Sequence, residues 1–288
     1  MQKLLLFLVF VSMLGNAQNQ RFSYIYHFVP DSTNQADIKS EMMILEVLPK
    51  FSKFYSETVF KSDSIAKVNL EKEVLATGSM NVKSSMRNGF FRHVIIKESP
   101  DFKTFLMTRI GQTKLKVADD RKMNWKVLAE KQKIGEFNVQ KAETEMYGRK
   151  WTAWFTTEIP IQEGPYKFHG LPGLIVKIED ETKSHSFSLS SIKNLNPEEI
   201  KNIDPNKNFV FDSSDYLNMN LSGYKKFYLD SRNDPNKSVR SALGQTEIAK
   251  VNIDGKMVDM NEFLRNREKQ QMEKNAKDNN LLELDLLK

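Results

Sequence analysis

This chain of 288 residues predicts a mainly β, α+β fold: a curved antiparallel sheet of half-barrel type, one packed helix, and further helices towards the C-terminus. Three observations carry that expectation. Strand-type runs with a period of two recur along 18–195, as in Trp151, Ala153, Phe155 and Thr157 against Thr152, Trp154, Thr156 and Glu158, where β-favouring residues stand on both faces. The breaks between such runs are short and rich in Gly, Pro, Asn and Asp, so neighbouring strands join as antiparallel hairpins without a helix-length crossover. One early stretch, Thr58 to Ala76, changes to helical spacing and stops before Gly78.

Taken in order, residues 1–17 read as a secretory signal peptide. Lys3 forms the positive region, Leu4 to Leu14 the apolar region, and Gly15, Asn16 and Ala17 the small-residue cleavage positions, with cleavage after Ala17. The apolar run is shorter than the roughly 18 residues a spanning helix needs, so no transmembrane anchor is expected after cleavage. A periplasmic or secreted location follows. The chain has no cysteine, which leaves no lipid-bearing cysteine and no disulfide.

Strands are then expected at Arg21 to Val29, Ser40 to Leu48, Lys50 to Tyr55, Phe90 to Lys97, Phe102 to Arg109 and Lys114 to Val117, with a hairpin tip at Gly111-Gln112. Trp125 to Lys133, Glu136 to Met146 and Tyr147 to Ile159 follow, joined at Gly135 and Gly148. Pro160 ends the last of these, since proline cannot donate to a ladder. Gly164-Pro165 and Pro172-Gly173 then make turns, the second with the type II pattern that asks for positive φ at Gly173. The chain re-enters a strand at Leu174 to Ile178 and another at Ser184 to Ile192.

Residues 196–288 read as an extension to the β-rich domain of 18–195. Pro197, Glu198 and Glu199 start a helix, and Ser213 or Ser214 caps another running through Tyr224 and Tyr228. Asp254-Gly255 suggests a hairpin, and Glu262 to Asn280 is a charged stretch, a solvated helix, a disordered segment or a partner-binding helix, before the apolar cluster Leu281 to Leu287.

The run GPYKFHGLPGLI, from Gly164 to Ile175, together with GRKWTAWFTTEIPI before it and the Lys141-Ala142 pair, resembles the GLPGLI family of exported proteins from Bacteroidota-type bacteria. The resemblance extends to about Ile192. It implies export and a role in the cell envelope, but the family has no described function and no catalytic residues to carry over. Gly164, Pro165, Gly170, Leu171, Pro172, Gly173, Leu174 and Ile175 are its structural motif. The expected architecture is also similar to the half-barrel of periplasmic lipoprotein carriers, a likeness of fold and not of function.

Chemistry-bearing constellations are sparse. The four histidines, His27, His93, His169 and His185, lack metal-motif spacing, and there is no nucleophile elbow, P-loop or dinucleotide fingerprint. No metal, cofactor or catalytic set is assigned. The net charge of +6 is small and scattered, which argues against a nucleic-acid partner. Trp151, Trp154, Tyr166, Phe168 and His169 gather around the motif and are the candidate ligand-binding residues, an aromatic rim for an apolar ligand, with core packing as the plain alternative. Two function classes remain open. One is a non-enzymatic envelope protein that binds an apolar ligand or an outer-membrane partner; the other is a peptidase or metal-dependent hydrolase whose site, for instance His169 with Glu163 and Asp180, is assembled from distant residues.

Overall fold

A computed structural model describes residues 19–77, 88–111, 113–205, 215–243, 250–253 and 256–288. The expected signal peptide, Gly78, Gln112, Ser213, Ser214 and the Asp254-Gly255 turn lie outside the described residues.

Twelve strands form one sheet: β1 (Gln20–Phe28), β2 (Lys39–Val47), β3 (Phe51–Ser56), β4 (Val94–Glu98), β5 (Lys103–Ile110), β6 (Thr113–Asp119), β7 (Lys126–Ile134), β8 (Phe137–Met146), β9 (Arg149–Thr156), β10 (Leu174–Asp180), β11 (His185–Asn194) and β12 (Leu217–Asn220). Their order is β12-β6-β5-β4-β3-β2-β1-β11-β10-β9-β8-β7. The sheet is thus two hairpin meanders joined where β1 pairs antiparallel with β11. One pair departs from the expected antiparallel pattern, because β12 returns to lie parallel to β6.

Chain length alone forces this sheet to curl. Between β6 and β7 stand ten strand spacings, about 48 Å if flat at roughly 4.8 Å each. Yet only residues 120–125 connect them, a span of at most about 25 Å even when fully extended. Met123 and Trp125 of that connection pack on the main core, so the curl wraps around it. The sheet stays open, with β12 and β7 as its edges.

Strand alternation divides the faces. Phe22, Tyr24 and Tyr26 of β1, Met43 and Leu45 of β2, Phe54 of β3, Trp151, Ala153 and Phe155 of β9 and Phe187 of β11 point inward to one core. Ile44, Tyr55, Val94, Ile96 and Met107 form a smaller cluster on the outer face, beside Tyr216.

Helix α1 (Glu57–Thr77) leaves β3 where the sequence predicts. Helix α2 (Pro197–Asn202) carries a capping box between Asn196 and Glu199 with proline in its first turn. Helix α3 (Leu221–Asn233) is capped by Asn220, whose side chain accepts from Gly223 N–H, so the cap is neither Ser213 nor Ser214. Helices α4 (Lys237–Leu243) and α5 (Met260–Lys277) and a last 3₁₀ turn (Leu284–Leu287) complete the chain, with a separate hairpin of β13 (Lys250–Ile253) and β14 (Lys256–Asp259). Among the described residues no helix is long and apolar enough to cross a membrane.

Candidate functional site

The inner face of the sheet is covered by the chain itself, in two pieces. The first is the loop 157–173 between β9 and β10. Its path is set by close approach of backbone to backbone. Gly173 does not take the positive φ that a type II turn would demand; it is absent from the left-handed residues, whereas Gly170 has φ +92°. Glycine is required at 173 because a Cβ there would run into the carbonyl oxygen of Thr156. Gly164 is needed for a similar reason, with the Ile175 side chain in the way.

Lys97 of β4 reaches up through the core and holds this loop. Its fully buried ammonium pairs with the Glu163 carboxylate and donates to the carbonyls of Gly164 at 2.9 Å and Phe168 at 3.1 Å. Two carbonyls and an opposite charge thus surround the ammonium, so a charge otherwise very costly inside a core is tolerated. Burial pushes the Lys97 pKa down, and the Glu163 charge opposes that. Trp125 Nε1 donates to His169 O at 2.8 Å, and Tyr24 O–H donates to Ile175 O at 2.7 Å.

The second cover is the segment 278–288, laid across the turn between β8 and β9. That turn has positive φ at both Tyr147 and Gly148, the primed type that suits a tight hairpin. A side chain at Gly148 would collide with the backbone of Asp285. Charges then fasten the segment. Lys167 Nζ donates to Asp119 at 2.7 Å and also to Glu283. Arg121 donates through Nη2 to Asp119 and Glu283, each at 2.6 Å, and through Nη1 to Asp285 at 2.9 Å. Tyr166 O–H donates to Glu283 as well. Burial would raise the Asp119 carboxyl, but the hydrogen bonds and charges of Arg121 and Lys167 outweigh it and hold it well below the usual carboxylate range. Glu283 is lowered by the same balance of burial against Lys167 and Arg121.

A second fastening lies at the start of the segment. Arg149 donates to Asp180 at 3.0 Å, to Asn280 Oδ1 at 2.6 Å and to Leu281 O at 2.6 Å. His185 Nε2 lies 2.9 Å from Asn280 O. A carbonyl only accepts, so Nε2 carries the proton, and Nδ1 accepts from Tyr26 O–H at 2.7 Å. Burial and the Arg149 charge push this ring down to about 4, which keeps it neutral.

Between the two covers and the sheet is a pocket of about 150 Å³. Its floor is made of buried Tyr26, Phe91, Leu106, Tyr166, His185, Tyr224 and Glu283; Phe28, Pro30, Phe90, Tyr228 and Asp278 form a more open rim. His93 stands in its wall with Nδ1 at 2.7 Å from Thr108 Oγ1, and burial, with the Lys167 charge, lowers it to about 4. A concave, ring-lined space with a few convergent polar groups and perturbed titrations is where a ligand site is expected.

The five residues expected to bind ligand are separated by the fold. Tyr166 lines the pocket. Trp151 and Phe168 lie behind it in edge-to-face contact, ring centres 4.9 Å apart. Trp154 points to the opposite face of β9, between Lys141 and Lys177 in register. His169 stacks on Phe102 at 4.6 Å, with Nδ1 bonded to Lys167 O. Nor do His169, Glu163 and Asp180 form one constellation: Glu163 is tied to Lys97 and Asp180 to Arg149. Among the described residues no group of three or more His, Asp or Glu side chains is placed to hold a metal ion. Tyr26, His93 and His185 looked like ordinary strand residues, and Glu283 carried no signal at all.

Residues 122–177 match the model of a family described as a protein of unknown function (Porph_ging). That span contains β7, β8, β9, the loop and most of β10. No curated protein matches the chain. Among solved structures, PNGF-II in its P21 crystal form is similar with a TM-score of 0.51 at 16% identity, over 75% of this chain and 34% of that one. The C2 form gives 0.50 at 16% identity, over 74% and 33%. The chain therefore spans about a third of PNGF-II, and the likeness is one of fold.

Proposed function

We propose that this chain is an exported cell-envelope protein of GLPGLI type that binds a small apolar ligand without transforming it, in the pocket between the sheet, the loop 157–173 and the segment 278–288. The signal-like first 17 residues and the match of an unknown-function family over the central strands support export and family. The pocket carries the binding reading: nine of its lining residues are aromatic, from the sheet, residues 90–93, the loop and α3, and the last segment closes the space with Leu281, Leu282 and Leu286. Four parts of the chain far apart in sequence converge on one small space. Glu283 and His185 in its wall are already spent on their neighbours, which favours holding over reacting: Glu283 is bonded to Lys167, Arg121 and Tyr166, and both nitrogens of His185 are engaged.

Native mass spectrometry of the full-length protein, purified gently from the envelope of its own host, tests this. A mass excess lost on denaturation is the expected result, and its value gives the class of ligand. A bare chain with an empty pocket removes the tightly held ligand and leaves an envelope partner as the remaining role.

A further inference from the structure

The pocket wall is rich in titratable groups and poor in net charge. Glu283 faces both Lys167 and Arg121, and Asp278 on the rim faces Arg232 at 3.1 Å. His185 is fixed as a neutral tautomer by its two bonds. A ligand ion entering here would meet no unpaired counter-charge, and its lost hydration would go uncompensated. Flat rings, by contrast, meet stacking partners on several sides, from Tyr26 and Phe91 on the floor to Phe90 and Tyr228 at the rim.

Two hydrogen-bonding groups of the wall are left over. The His93 ring uses Nδ1 for Thr108, and among the described residues nothing bonds to its Nε2. The Tyr224 hydroxyl likewise has no partner among the described residues, although the residue is almost fully buried. Both residues line the cavity and neither atom is sealed off from it, so a hydrogen-bonding group placed there can reach them. The space of about 150 Å³ has room for roughly five waters, or for one flat system of one ring or two fused rings.

Resting on the binding role proposed above, we infer that the pocket takes an uncharged, flat, ring-bearing molecule of at most bicyclic size with one hydrogen-bonding substituent, which His93 Nε2 and the Tyr224 hydroxyl recognise.

Equilibrium dialysis of the full-length protein near neutral pH against four probes tests this: 2-naphthol, naphthalene, naphthalene-2-sulfonate and 2-naphthylmethylammonium. The neutral naphthol should bind about tenfold tighter than either ion and about fivefold tighter than naphthalene. In His93→Phe and in Tyr224→Phe the preference for naphthol over naphthalene should shrink towards one. Because that preference is a ratio within one folded variant, a general loss of stability does not imitate it. An ion that binds as well as naphthol overturns the uncharged class while leaving the pocket a binding site. A ratio unchanged in both variants overturns the two assigned groups. If none of the probes binds, this inference falls, and the native mass measurement decides separately whether the pocket holds a ligand of another class.

Discussion

Two pieces of the chain cover the same face of the sheet, and different physics holds each of them. The loop 157–173 is fitted by shape: Gly173 lies against the Thr156 carbonyl, Gly164 against Ile175, and a single buried ammonium, Lys97, gathers the remaining carbonyls. The segment 278–288 is fitted by charge and hydrogen bonds, with Arg121, Arg149 and Lys167 reaching it from three separate parts of the sequence. A steric fit has no tolerance for an extra methyl group and no dependence on protonation. An ionic fit tolerates small changes of shape but is sensitive to every proton and partner it loses. The pocket sits at the seam, so its walls have one rigid side and one that conditions can loosen.

The strongest way to break the steric side is Gly173→Ala. The added Cβ has only backbone to push against, and backbone in mid-sheet does not yield cheaply. We expect a loss of about 3 kcal/mol or more, seen as failure to fold or as a large fall in the denaturation midpoint. A wild-type midpoint would show that the loop can pull away from Thr156. Lys97→Met tests the buried charge beneath that cover, which is separate from Lys167 at the seam with the segment 278–288. It removes the partner of buried Glu163 and should cost about 3 kcal/mol, because an unpaired buried charge remains. Adding Glu163→Leu should recover much of this, and a double variant no better than the single one would mean that the carbonyl bonds of Lys97, not its ion pair, matter most.

On the ionic side, Glu283→Gln withdraws one anion from between two cations and should cost about 2 kcal/mol. The sharper readout is where the loss appears. Hydrogen exchange should quicken in 278–288 while the loop 157–173 stays protected. Equal quickening in both would mean that the two covers open as one unit.

The same division explains what the sequence reveals. Strand periodicity and turn residues make the mainly β sheet and helix α1 readable, because both are local signals. The motif around Gly170 and Pro172 is readable as a turn-rich connection, although the reason for Gly173 is not. Its constraint comes from Thr156, brought close only by the pairing of β9 with β10. The aromatic cluster is readable as a group but not as a site: alternation along β9 sends Trp151 inward and Trp154 outward, and only Tyr166 reaches the pocket. The ionic fastening is invisible beforehand. Asp119, Arg121, Lys167 and Glu283 each look like one more member of a mixed surface charge until the curl of the sheet places them within hydrogen-bonding distance.

The smallest effect we expect comes from pH, and it bears on the seam itself. His93 and His185 titrate near 4 in the folded protein, chiefly because burial disfavours the charged ring, against about 6.5 when exposed. Between those values the unfolded chain binds more protons, so stability is complete above about pH 6.5 and falls as pH drops towards about 4. By about pH 5.5 each ring should account for a loss of about 1 kcal/mol. The carboxylates add nothing there, since Asp119 and Glu283 are held below their ordinary values and lose their contribution only in stronger acid. His185 bonds both to the sheet, through Tyr26, and to the outer segment, through Asn280 O. Protonating it leaves two donors where Nδ1 must accept, which loosens the charged cover and spares the steric one. His185→Gln should therefore flatten the slope of melting temperature against pH between neutrality and about pH 5.5 by somewhat less than half, since His93 and His169, both also lowered by burial, carry the rest. A slope unchanged by that substitution would assign the acid sensitivity to His93 and His169 and detach the segment 278–288 from it.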